Sequence, residues 1–172
     1  MVVASGSVVT KSFGDNIVIG GNPAKELGIG LMDKAVYDKI EKYMLGFMGD
    51  SAHDSLHIYR VLYCAFDIAK GYEGIDKDVL IASCLLHDIG RAAQFGNPEL
   101  CHAAEGGKIA YGFMQNYWDE SRCAHIRDCV TTHRYRTSSP PKTIEAKILF
   151  DADKLDVTGA LGIAEHCCTK VK

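Results

Sequence analysis

From Leu31 onward the chain repeats apolar residues at i, i+3, i+4 and i+7, the period of an amphipathic helix. Nothing else constrains the fold as tightly. The pattern predicts helices over about 31–48, 54–71, 76–88, 100–116, 119–135 and 142–165. Asp76 starts the third and Gly90 stops it, the stretch "GNPE" separates the third from the fourth, and "TSSPP" ends the fifth because Pro140 and Pro141 cannot continue a helix. Residues 1–29 have another texture: short Val- and Ile-rich runs between Gly, Asn and Pro read as strands and turns. The expected architecture is therefore all-α over residues 30–172, with a short β/turn appendage over 1–29. With 47% apolar residues in 172, the chain has enough material for a core.

A net charge of −3 gives no electrostatic case for nonspecific nucleic-acid binding or for an anionic membrane surface. No specific nucleic-acid partner is expected. No apolar run approaches a membrane span, and the first residues lack the charged start and apolar core of a signal peptide. Cys64, Cys84, Cys101, Cys123, Cys129, Cys167 and Cys168 form no CxxC pair. An odd count without framework spacing points to a reducing cytoplasm. Cys64, Cys84 and Cys129 fall within apolar helical patterns, where a thiol packs as a small hydrophobe.

The polar residues on these apolar helices carry the chemistry. In "CLLHDIGR" an apolar helix ends in His87 and Asp88, and burying either without a partner costs several kcal/mol. His53 and His57 stand one turn apart in "HDSLHIYRV", and His57 leads the inward stripe through Val61 and Cys64. "LFDADKLD" brings further acids, Asp153 among them, after an apolar approach. Three helices can thus offer two imidazoles and two carboxylates to one cation. Mixed nitrogen and oxygen donors suit Mn²⁺, Fe²⁺, Co²⁺, Ni²⁺ or Zn²⁺ better than Ca²⁺.

His57, the pair His87-Asp88 and an Asp in "DADKLD", in that order, resemble the HD superfamily of metal-dependent phosphohydrolases, in particular its small stand-alone bacterial members. The likeness covers about residues 31–165 and extends to "CHAAEGG", "TTHRYR" and "PPKTIEAKILFDADKLDVTGALGIA". It implies an HD-domain helical bundle with His57, His87, Asp88 and Asp153 as metal ligands. The family's Ala-Asp-(Arg/Lys)-Leu signature selects Asp153 over Asp151 and Asp156, with Asp151 as the fallback. His102 and His133 match histidines that hold a second metal or grip phosphate in some branches. Arg91, three residues past Asp88, stands where other branches carry a phosphate-facing Lys or a Glu; a helix-end charge would also explain it. Asp54 would orient His57 or a metal-bound water. Arg60, Arg134 and Arg136 are weaker phosphate candidates, expected to be solvated, and His125 and His166 are expected at the surface.

The implied activity is hydrolysis of a phosphate ester, a nucleotide for preference, through a metal-activated water, with Mn²⁺ placed first and Mg²⁺ also admitted among the ions. Asp88, His102, His133, Arg91 and Asp54 would serve catalysis, and a homo-oligomer is compatible with it. No Walker-type phosphate loop and no Gly-Tyr-Pro element of the cyclic-dinucleotide branch occurs. The alternatives are a non-catalytic metal- or nucleotide-binding regulator, an oxygenase holding two irons, and an inactive fragment, since such chains usually continue past "GALGIA" with a basic residue where Glu165 stands. Separately, "GSVVTKSFGDNIVIGGNPAKELG" resembles the closing coil of a hexapeptide-repeat, left-handed β-helix acyltransferase. One coil without the catalytic histidine implies no such activity.

Overall fold

A computed structural model describes residues 2–3, 7–13, 17–29, 32–48, 52–135 and 139–158. Among the described residues, three strands, β1 (Val2–Val3), β2 (Ile17–Gly20) and β3 (Lys25–Ile29), precede seven helices. The helices are α1 (Lys34–Leu45), α2 (Ala52–Ala69), α3 (Lys77–Leu86), α4 (Arg91–Gly96), α5 (His102–Met114), α6 (Glu120–Thr132) and α7 (Ile144–Thr158). The all-α body with its short β appendage is as the sequence leads one to expect. Helix α4 is the exception: six residues between Gly90 and Asn97 are too few to show a period.

Helix α3 is the axis of the bundle. Every residue from Val79 to Leu86 is buried, and α1, α2, α6 and α7 all pack on it. A helix apolar all round has no solvent face to present. Its N-terminus is fixed by Asp76, whose Oδ1 accepts from the Val79 amide at 3.1 Å. Arg122 of α6 donates to both Asp76 oxygens, Nε at 3.0 Å and Nη2 at 2.7 Å. The start of the central helix is thereby tied to the start of α6.

In the appendage β1 pairs with β2 in parallel, Val2 opposite Val18, and β2 pairs with β3 antiparallel, Ile17 opposite Ile29. It rests on α2 at Tyr63, whose hydroxyl lies 3.1 Å from Ser7 Oγ. A Cβ at Gly20 would fall 1.8 Å from the Tyr63 ring, so only glycine allows that approach. Among the described residues the cysteines are free thiols, and no helix is long and apolar enough to cross a membrane.

Candidate metal centre

The side chains singled out in the sequence meet where helices end. Asp88 follows the C-terminus of α3, His133 caps the C-terminus of α6, and His102 opens α5. His57 and Asp153 enter from the middle of α2 and of α7. Gly90 makes this convergence possible. A Cβ there would lie 2.1 Å from the His102 carbonyl and 2.5 Å from the Gly106 amide, so any larger residue would push α5 away from Asp88.

One oxygen of Asp88 faces each half of the cluster. Oδ2 lies 3.7 Å from His57 Nε2 and 3.6 Å from His87 Nε2. Oδ1 lies 3.5 Å from His102 Nε2 and 3.8 Å from His133 Nε2. Asp153 Oδ1 closes the first half, 3.4 Å from His57 Nε2 and 4.0 Å from His87 Nε2. Two donor groups compact enough for a cation result, His57–His87–Asp88 and Asp88–His102–His133, and they share Asp88.

The opposite edge of each ring sets its tautomer. His87 Nδ1 donates to the Cys84 carbonyl at 2.7 Å, and His133 Nδ1 to the Val130 carbonyl at 2.6 Å. His57 Nδ1 donates to Asp156 Oδ2 at 2.7 Å. His102 Nδ1 faces Gln94 Oε1 of α4 at 2.7 Å, with Arg134 Nη1 3.1 Å away. His87, His133 and, with its proton assigned to the Nδ1 that faces Gln94, His102 therefore direct a bare Nε2 inward, whereas His57 keeps a proton on Nε2 until a metal displaces it. The consequence is sharpest at His102 Nε2 and Asp88 Oδ1, both buried and both without a hydrogen-bond partner. Two facing lone-pair groups in a buried site repel, and each carries a desolvation cost that a cation would remove. The residues present thus fit a divalent metal ion on their own geometry.

The electrostatics agree. Burial opposes charge on Asp88, but His87, Arg91, His133 and His57 hold its carboxyl well below the usual range. Asp153 is likewise held low against its burial by His57, His87 and Lys154, whose Nζ donates at 2.6 Å. Burial drives His133 down to about 3, aided by His87, and drives His102 down to about 4, aided by Arg91 and Arg134. Burial also lowers His87. His57 is different. Burial would lower it, but its bonds to Asp153 and Asp156 and the charge of Asp88 lift it to about 9. Without a metal His57 carries the proton, and its Nε2–H is directed at His87 Nε2, 3.3 Å away.

His57, His87, Asp88, Asp153, His102 and His133 are thus brought together. Arg91, at the start of α4, is half exposed and donates through Nε to Asp88 Oδ2 at 2.6 Å. Asp151 is exposed on the other side of α7. The side chains of His53 and Asp54, together with Arg136, Glu165, His166, Cys167 and Cys168, lie outside the described residues, as does the expected end of the last helix.

Two expectations are corrected. Arg60 is not a solvated cation, because its Nε and Nη2 donate to Asp156 at 2.7 and 2.9 Å. His125 is partly buried rather than freely solvated: its Nε2 lies 2.9 Å from Thr143 Oγ1 and 3.1 Å from Glu145. Asp156 itself is the main residue that sequence reasoning misses. Arg60 stands three residues after His57 and Asp156 three after Asp153, so each shares a helix face with a site residue. That spacing is the available signal.

Residues 55–158, more than half of the chain, match the family model for the HD domain. The 3'-5' exoribonuclease YhaM of Bacillus licheniformis is 25% identical over 115 residues, which are 58% of this chain and 37% of that protein. The YhaM of Bacillus pumilus matches at the same identity and coverage. The chain spans little more than a third of the length of these curated relatives. Among solved structures, a predicted HD superfamily hydrolase from an uncultured Thermotogales bacterium is 28% identical. It superposes with a TM-score of 0.65 over 80% of this chain and 82% of that one.

Proposed function

The chain belongs to the HD-domain family of metal-dependent phosphohydrolases, and from that premise we propose that it hydrolyses a phosphate ester of a nucleotide. The observation that carries the reading is the buried, partnerless pair Asp88 Oδ1 and His102 Nε2 at the centre of the converging imidazoles. His57, His87, Asp88 and Asp153 would hold a divalent ion, Mn²⁺ in the first place given the mixed nitrogen and oxygen donors. When bound, such an ion supplies Lewis acidity and hydroxide near neutral pH.

The chain's own residues do the remainder. Arg91 steadies Asp88 and brings positive charge to the rim, where it would offset charge on a phosphoryl oxygen. Asp156, held by Arg60, keeps His57 in the tautomer that points Nε2 inward. Lys154 fixes one oxygen of Asp153 and leaves the other to the site. His102 and His133 stay neutral through the working pH range, so they act as lone-pair donors. Asp54 would orient the attacking water from α2. Residues 30–172 would form the catalytic domain and 1–29 an appendage to it.

A second reading follows from the two oxygens of Asp88, each facing its own pair of imidazoles. Asp88, His102 and His133 would hold a second divalent ion. The exoribonuclease relatives extend the substrate class from free nucleotides to the end of an RNA strand. The test is to strip the protein with a chelator and add back Mn²⁺. Product release is then followed from nucleoside monophosphates, cyclic nucleotides and short oligoribonucleotides. Hydrolysis restored by the metal supports the proposal. A metal-replete protein that cleaves none of them contradicts it and leaves the regulator reading in its place.

A further inference from the structure

Helix α4 buries none of its six residues, yet two side chains one turn apart on it grip the centre from outside. Arg91 donates to Asp88, and Gln94 Oε1 lies 2.7 Å from His102 Nδ1. Gly90 brings Gln94 to that position. It lets the start of α4 lie against the His102 carbonyl, and the Gln94 amide, four residues on, donates to the Gly90 carbonyl at 3.3 Å.

His102 differs from the other imidazoles of the centre in having two rival neighbours at its outer nitrogen. His57, His87 and His133 each face an acceptor there, a carboxylate or a backbone carbonyl. His102 Nδ1 faces Gln94 Oε1 at 2.7 Å and Arg134 Nη1 at 3.1 Å. A guanidinium only donates, so a bond from Arg134 requires a lone pair on Nδ1 and sends the ring proton to Nε2. The amide oxygen of Gln94 only accepts, so its bond requires the proton on Nδ1 and leaves the lone pair on Nε2. The two neighbours thus call for opposite tautomers of one neutral ring. The choice matters on the inner side. A proton on Nε2 would face Asp88 Oδ1 at 3.5 Å, outside the usual N–H···O range of about 2.7–3.2 Å. It would also close the donor group Asp88–His102–His133 to a cation.

We propose that Gln94 is a positioning residue of the centre: it outcompetes Arg134 for His102 Nδ1, holds the ring in the Nδ1–H tautomer and so keeps the second donor group open to an ion. The nearer partner is the amide oxygen, at 2.7 Å against 3.1 Å for the guanidinium. The inference rests on the reading in which Asp88, His102 and His133 hold a second ion, and adds the residue on which that ion depends. Gln94 acts through His102 and not on the ion itself.

The test reads the tautomer directly. Nitrogen-15 NMR distinguishes protonated from bare ring nitrogens, and the His102 signals are identified by their loss in His102→Asn. In the chelator-treated parent His102 should carry its proton on Nδ1. Gln94→Met, which keeps the length of the side chain and removes the acceptor, should move the proton to Nε2. Gln94→Glu, which restores an acceptor, should keep it on Nδ1. His87 and His133 should stay protonated at Nδ1 throughout, which shows that the centre is still folded. Titration calorimetry with Mn²⁺ should then show the second ion bound roughly 10–100-fold more weakly by Gln94→Met, with the first unchanged. A proton on Nε2 in the parent, a tautomer unmoved in Gln94→Met, or a second ion bound equally well by both proteins would overturn the inference. The expected tautomers with only one ion bound by the parent would leave Gln94 as the residue that positions His102 and count against the second-ion reading instead.

Discussion

Each imidazole in the centre has one nitrogen committed to the protein and one directed at Asp88, so its orientation depends on residues that never touch a substrate. Asp156→Asn keeps the size of the group that orients His57 but weakens its acceptor charge. Chelator competition should show metal affinity lower by roughly 10–100-fold, the usual effect of losing such an outer partner. Arg91→Ala removes a cation that both steadies Asp88 and faces the rim. It should lower kcat/KM by about 10²-fold, with Arg91→Lys recovering only part, because an ammonium lacks the planar donor fork.

The proton on His57 predicts a pH dependence with a definite sign. A metal must displace that proton, which is held below pH about 9. Apparent affinity should therefore fall as pH drops from 9 toward 6, by about tenfold per unit, with about one proton released per ion into a weak buffer. His102 and His133, already neutral above about pH 4 and 3, add nothing in that window. An affinity flat with pH would mean that His57 is not displaced.

At the scale of elements, the start of α3 and the approach of α5 decide whether the centre can assemble. Asp76→Ala deletes the cap of the central helix and leaves Arg122 without the pair it straddles. Denaturant unfolding should show a loss of about 1 kcal/mol or more. Burial would raise the Asp76 carboxyl, but Arg122 outweighs it and holds the group below its ordinary value. Its contribution is therefore complete above pH about 4 and is lost as pH falls through the depressed value. Asp76→Ala should accordingly be less sensitive to acid than the parent. Gly90→Ala is predicted to disturb α5, with metal binding lost even where helix content by circular dichroism is retained.

These elements also show what a sequence reveals and what it hides. Long periodic helices such as α2, α5 and α6 are legible because a buried stripe must repeat with the helix. The ligand set is legible because an imidazole and a carboxylate buried side by side at the end of an apolar helix call for a cation to satisfy both. Helix α4 is not, because six residues carry no period. The pairing of Arg60 with Asp156 is not legible either, because it joins α2 to α7 across the fold, and local spacing suggests a shared face without naming the partner.

For the whole molecule, the central feature is a cluster of carboxylates and lone pairs sealed among helix ends. Such a cluster opposes folding until a cation enters it. A ligand that binds only the folded state stabilises by about 2.7 kcal/mol at one hundred times its dissociation constant. For a domain of this size that corresponds to a rise in Tm of roughly 5–10 °C. Thermal unfolding of chelator-treated protein, with and without Mn²⁺, should show this shift, and Asp88→Ala should show none. The segment carrying β1–β3 touches α2 through Tyr63, a residue outside the cluster, so the shift is expected to be independent of it.

The most direct test of the metal centre is the metal content of the purified protein and of Asp88→Ala, measured by elemental analysis after equilibration with Mn²⁺ and gel filtration. The shared position of Asp88 predicts about one ion or more per chain in the parent and essentially none in the variant, with both equally helical. Equal metal in the two proteins, or none in either, would contradict a centre built on Asp88.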